Sequence, residues 1–176
     1  LWLAAFLAIA AFGLYGLLGS PRIIPALEAR EARLAELRES IARNSARVQA
    51  NPKELEAWVL LGVDFMETAE YEAASHAFKQ AVLLSGGEPE LILAYAKAQV
   101  AAADGKVSDL AKKSFEMVLL QEPGNADAKY FLILRKLQDG KTENAMQAMK
   151  ALYRSLPEGS PLKNLIDRQI GKKPPN

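Results

Sequence analysis

The sequence predicts an all-α protein: an N-terminal transmembrane helix, then a right-handed α-solenoid of about three helix pairs, closed by a C-terminal capping helix. Three observations predict it. Leu1 to Leu18 carry no charge, the following stretch is charged with an apolar residue at every seventh place, and the remainder repeats itself in sequence. The expected organisation is a transmembrane helix at 1–19, a linker or stalk helix at 20–50, the repeat domain at 51–171 and a disordered tail at 172–176.

Composition narrows the function classes first. The 176 residues are 50% apolar and 24% charged, which excludes disordered and collagen-like chains. Twenty-two Lys and Arg against 21 Asp and Glu leave a formal charge of +1, with no basic block long enough to track a phosphate backbone, so no nucleic acid partner is expected. With no Cys and one His there is neither thiol chemistry nor a Cys- or His-pair metal site. No metal and no other cofactor is expected.

As a helix, Leu1 to Leu18 would be ~27 Å long at ~1.5 Å per residue, close to the hydrocarbon thickness of a bilayer, so its partner is membrane lipid. Gly19-Ser20-Pro21 breaks the apolar run and Arg22 supplies the first charge. A cleaved signal peptide is the alternative, but the run exceeds the usual apolar core of one, and Gly-Ser-Pro is a weak cleavage site. Between Pro21 and Ala50 six Arg face four Glu, a lean towards a cytoplasmic body; the rule compares both flanks of a span, so these residues alone do not orient it.

Along the charged stretch Leu27, Leu34, Ile41 and Val48 recur every seven residues, with Leu37 between them. Arg30 and Asn44 interrupt the pattern, which favours a stalk helix leaning on the domain over a sustained coiled coil.

The repeat follows. Trp58, Leu61, Gly62, Phe65, Ala74, Phe78 and Ala81 stand at the spacings of the 34-residue tetratricopeptide (TPR) pattern, counted from Leu55. A second copy supplies Ile92, Tyr95, Ala96 and Gln99, then Ala111, Phe115, Val118 and Pro123 after a three-residue insertion near Asp104-Gly105. A third begins at Ala126, with Leu132, Gly140, Ala145, Met149, Leu152 and Pro157, and with Lys129 where Trp is expected. Small residues let paired helices approach closely, and Phe78, Phe115 and Met149 fill space between neighbouring pairs. About three repeats are the minimum for a stable stack.

Asn51-Pro52-Lys53-Glu54 reads as an N-cap with proline in the first helical position. Gly86-Gly87 reads as a left-handed C-cap with Pro89 restarting the chain, and Gly124-Asn125 as its counterpart before the third copy. Leu162, Leu165, Ile166 and Ile170 form the amphipathic face of the capping helix. Lys172 to Asn176 has no apolar anchor and should fray.

In a TPR stack the first helices line the concave surface. The first copy would present Glu56, Val59, Val63 and Met66, the second Glu90, Leu93, Lys97 and Val100, and the third Asp127, Tyr130, Leu134 and Leu137. A carboxylate-clamp TPR needs Lys and Asn where Val59 and Val63 stand, so that reading fails. The candidate peptide-binding groove is therefore Val59, Val63, Met66, Leu93, Lys97, Val100, Tyr130, Leu134 and Leu137, suited to an amphipathic helix, with Met66 and Tyr130 the foremost contacts. The competing reading is that the stalk or the capping helix covers it. His76 points away from this floor, and Asp64, Asp104 and Asp139 have no nucleophile or His beside them in sequence, so no catalytic residue and no enzyme is expected.

The apolar span ending in Gly19-Ser20-Pro21, the Arg/Glu-rich stalk, Asn51-Pro52 and Trp58-Val59-Leu60-Leu61-Gly62 together resemble the cytochrome c-type biogenesis TPR proteins of the CcmI/CycH family. Leu91 to Ala98, Asp104 to Val107, Phe115 to Pro123, Lys129 to Leu132 and Leu156-Pro157 are similar to that family too, so the resemblance spans nearly the whole chain. It implies a bacterial inner-membrane protein whose TPR domain faces the periplasm. Such a protein is a holdase that captures apocytochrome c through its C-terminal helix and passes it to the membrane proteins of the haem-ligation complex. The alternative is a membrane-tethered TPR scaffold that organises an envelope or translocon-associated assembly. Fuller family members carry a further N-terminal span and cytoplasmic loop.

Overall fold

The computed structural model describes residues 23–169. The predicted span at 1–19 and the tail at 172–176 lie outside them. Among the described residues no helix is long and apolar enough to cross a membrane. Eight helices follow one another there with no strand: α1 (Ile23–Ala50), α2 (Leu55–Glu67), α3 (Tyr71–Ser85), α4 (Pro89–Ala102), α5 (Asp109–Gln121), α6 (Ala126–Gln138), α7 (Thr142–Ser155) and α8 (Pro161–Gln169).

The chain divides into two compact units between Ser40 and Ile41, so α1 runs from one into the other. In the first unit, α1 is a largely exposed helix whose Arg33 and Glu36 pair at 3.5 Å across one turn. Such a solvent-facing pair contributes little to stability.

In the second unit each helix from α2 to α7 packs on its neighbour in the chain, the contact pattern of a solenoid. The predicted helix pairs are α2/α3, α4/α5 and α6/α7. Between Ile41 and Ala50, α1 joins the first pair through Ile41 and Val48, which pack with Ala57, Leu61 and Ala77. The aromatic residues expected between pairs are found there: Phe78 packs with Ala98 of α4, and Phe115 stacks on Phe131 of α6 with centroids 4.7 Å apart. Met149 shares a cluster with Tyr130, Ile133 and the fully buried Ile166 of α8.

Gly62 sets the closest approach. A Cβ there would lie 2.5 Å from Cε1 of Phe78, so the ring rests directly on the α2 backbone. Gly86 adopts the left-handed C-cap conformation, with φ 76°, and the Gly87 amide donates to the Val82 carbonyl. Pro89 opens α4 as expected.

Two local expectations are corrected. The helix after the stalk begins at Leu55 with Glu54 in the N-cap position, not at Pro52. Asn51 instead closes a turn, its Oδ1 accepting from the Lys53 amide, and the Pro52 carbonyl is engaged by the Trp58 indole at 2.9 Å, which holds it out of the helix. Before the third copy the work falls to Asn125 alone, whose Oδ1 accepts from the Ala128 amide at 3.0 Å; Gly124 is not left-handed.

The three-residue insertion becomes a strap. Val107 is buried; its amide donates to Gln138 Oε1 at 3.1 Å and its carbonyl accepts from Arg135 Nη1 at 2.9 Å. Gln138 Nε2 also reaches the Gly105 carbonyl, and Arg135 pairs with Asp109 and Asp139. These bonds tie the second helix pair to α6.

Candidate peptide-binding groove

Lys97 aside, the eight other predicted groove residues separate into three groups. Val63 on α2 is exposed, at 43%, and is the most open apolar position of the set. Val59, Met66, Leu93, Leu134 and Leu137 are half-buried: Met66 leans on the Phe78 cluster, Leu93 on that of Phe115, and Leu137 on that of Tyr130. Leu134 touches both of the last two clusters and joins the second pair to the third.

Val100 and Tyr130 behave differently. They are 5% and 3% exposed and belong to the closed interior of the second and third pairs. The Tyr130 ring meets Phe131 edge-on, with centroids 5.4 Å apart. They present almost no surface to a ligand, so Tyr130 supports the floor from beneath where the sequence expectation made it a foremost contact. The neighbouring helices explain this: Tyr130 packs with Met149 and Leu152 of α7 and with Ile166 of α8.

The charges around this strip are paired by the chain itself. Lys97 of α4 forms an ion pair with Asp127 of α6, bridging successive first helices. At the other end Arg47 of α1 donates to Glu54 and Glu56, through Nε to Glu54 at 3.0 Å and through Nη2 to Glu56 at 2.9 Å, while Nη1 donates to the buried Asn44. The bonds to Glu54 and Glu56 raise the Arg47 pKa further above its already high value. Of the three acidic residues at the predicted concave positions, Glu56 and Asp127 are thus paired, and Glu90 is exposed.

His76 is exposed on α3, with its ring edge-on to Trp58 at 5.8 Å. Among the described residues no group of His, Asp and Glu is placed to hold a metal.

A family model described as the cytochrome c-type biogenesis protein H TPR domain matches residues 33–163. This chain belongs to that family. The match begins within α1 and ends in α8, so it takes in all three helix pairs and the strap in the α4–α5 connection. The CycH protein of Rhizobium meliloti (strain 1021) is 31% identical over 173 residues, covering 95% of this chain and 45% of that protein. CycH of Pseudomonas aeruginosa is 26% identical over 134 residues, 76% of this chain and 33% of that protein. The chain spans less than half the length of these relatives. Among solved structures, MamA superposes with a TM-score of 0.59 at 18% identity, over 81% of this chain and 83% of that one, a likeness of fold. The CycH family model is that of a TPR domain.

Two features of this CycH-family domain escaped the sequence reading. One is the Arg47 clamp, for which the available signal was Val48 in the stalk's apolar stripe: it brings its neighbour to the first helix pair. The other is Lys163 of α8, whose side chain is only 8% exposed and whose Nζ donates to the Leu156 carbonyl at 3.2 Å and to Glu158 at 2.6 Å, 4.7 Å above the Tyr153 ring. It fastens the capping helix to the end of α7, and nothing in its local sequence distinguishes it from a surface lysine.

Proposed function

We propose that this chain is the client-holding part of a cytochrome c maturation factor. Residues 1–19 anchor it in the bacterial inner membrane, 20–50 form the stalk, and the TPR domain at 51–171 stands in the periplasm. The domain holds an amphipathic helix at the C-terminus of apocytochrome c and delivers it to the haem-ligation complex, without catalysing a reaction. Membership of the CycH family supports the pathway. The observation that supports the mode of binding is the strip of Val59, Val63, Met66, Leu93, Leu134 and Leu137 along successive first helices, flanked by neutralised charge.

Apolar side chains laid on such a strip contribute roughly 1.5 to 3 kcal/mol each when fully buried, and the half-buried ones fall at the low end. About four anchors then give roughly 6 kcal/mol or somewhat more, from which the cost of association is subtracted. Affinity is therefore tens of micromolar or weaker, about −6 kcal/mol at most.

The test titrates the full chain with synthetic C-terminal helices of c-type cytochromes, with scrambled sequences and with proline-broken versions. Binding that needs both sequence and helicity, and that weakens about tenfold in Val63→Asp, supports the holdase reading. Equal binding of all three peptide sets, or of apocytochrome and haem-bearing cytochrome alike, would hand the case to a membrane-tethered scaffold.

A further inference from the structure

At two register positions the third helix pair has a lysine where the first has an aromatic ring. Where α2 carries Trp58 and Phe65, α6 carries Lys129 and Lys136. In the first pair those rings lie against the α1, α2 and α3 packing. In the third, the two lysines are exposed, and beneath them lies a cavity of about 450 Å³ walled by Leu119, Leu132, Ile133 and Leu152. That volume falls within the ~300 to 1,000 Å³ typical of ligand clefts. None of its lining residues belongs to the groove described above.

We propose that this seam between α6 and α7 is a second docking site, which takes an acidic amphipathic helix of a partner protein: an apolar side chain enters the cavity, and carboxylates meet Lys129 and Lys136. The two lysines make no ion pair with the described residues. Seven residues apart on one helix, they lie on one face at ~10.5 Å of rise, the same spacing as two carboxylates seven apart on a partner helix laid alongside. Apolar residues three or four places from each carboxylate then face the cavity, supplying what Trp58 and Phe65 supply internally in the first pair. The chain's own basic segments are disfavoured as occupants: the stretch from Pro21 to Ala50 carries six Arg against four Glu, and Lys172-Lys173 follow α8. Like charge repels both from the lysine pair.

The experiment uses the full 176-residue chain and four probes read by fluorescence anisotropy or displacement. They are a labelled synthetic helix with Glu at two positions seven apart and Leu and Phe between them, its Gln counterpart, its Lys counterpart, and dodecanoate. The Glu helix is expected to bind at least about tenfold more tightly than the Gln helix, and to lose affinity as salt is raised. Lys129→Trp, which restores the first pair's residue and fills the cavity, should weaken it about tenfold or more, while Val63→Asp should leave it unchanged. The double variant Lys129→Glu with Lys136→Glu alters only exposed side chains and should transfer preference to the Lys helix. Indifference to Glu, Gln or Lys, unchanged affinity in both lysine variants, or uptake of dodecanoate with no helix binding would overturn the proposal.

Discussion

The first and third helix pairs are built on one register yet solve their central contact in opposite ways. At the crossing the first pair has Gly62, with the Phe78 ring against its backbone, and Trp58 and Phe65 on either side. The third has Ile133 at the crossing and lysines on either side, with a cavity between. The second is intermediate, with Ala96 and the buried Ile92. The residue at the crossing decides how near the helices come, and the residues flanking it decide whether the remaining space is filled by the protein or left for something else. A repeat fold can thus vary its surface without changing its path.

The largest test of this contrast is a branched residue at Gly62. Gly62→Val has no room against Phe78 and should destabilise the chain by about 3 kcal/mol or more, measured by urea unfolding. The reverse change in the third pair, Ile133→Ala, should cost only about 2 kcal/mol, at the low end for a large-to-small substitution, because the wall of an existing cavity can relax inward. Equal losses would mean that the two crossings are not distinguished by packing.

A second test concerns how the third pair is closed. The Lys163 pKa is raised chiefly by its hydrogen bond to Glu158, and that of Tyr153 chiefly by its hydrogen bond to Asp167, with burial adding to the shift for Tyr153 and opposing it for Lys163. Both raised groups contribute stability that is complete below their ordinary values, near 10, and is lost as pH climbs through the folded ones. Denaturation at about pH 9 and about pH 11 should therefore show a decline that is shallower in the Lys163→Met, Tyr153→Phe double variant. An identical decline would mean that these two groups do not fasten the cap.

The smallest effect lies in the turns. Ala69, between α2 and α3, has φ 61°, while Gly140, at the same register between α6 and α7, has φ 76°. Ala69→Gly copies the third turn into the first and should stabilise by about 0.5 kcal/mol, since relief of the left-handed strain exceeds the added freedom of the unfolded chain. A lower melting temperature in this variant would contradict that balance.

The helices were legible in the sequence because their signals are local and periodic: Gly86 has to be left-handed, Pro89 has to open a helix, and Ala74, Ala111 and Ala145 recur where close approach is needed. The groove was legible only in part. Register placed Val63 and Leu93 on the first helices but could not tell how far a neighbouring pair covers them, so Val100 and Tyr130 were expected at the surface and lie inside. Burial is decided by what the next two helices bring, and no single repeat contains that information. For the same reason Lys163 gave no warning, since its partners Leu156 and Glu158 lie outside its own helix, and Arg47 was signalled only through the apolar Val48 beside it. Lys129 was visible as a departure from the pattern, but the space beneath it depends on Leu119, Ile133 and Leu152 as well.

The strap at Val107 has a mechanical consequence. A stack held by neighbour contacts alone can unravel one helix at a time from a free end, but Arg135 and Gln138 reach back across the boundary to Val107 and Gly105. Tension applied at the C-terminus would peel away α8 and α7, then stall where those bonds are loaded together, leaving a shortened array intact on its N-terminal side.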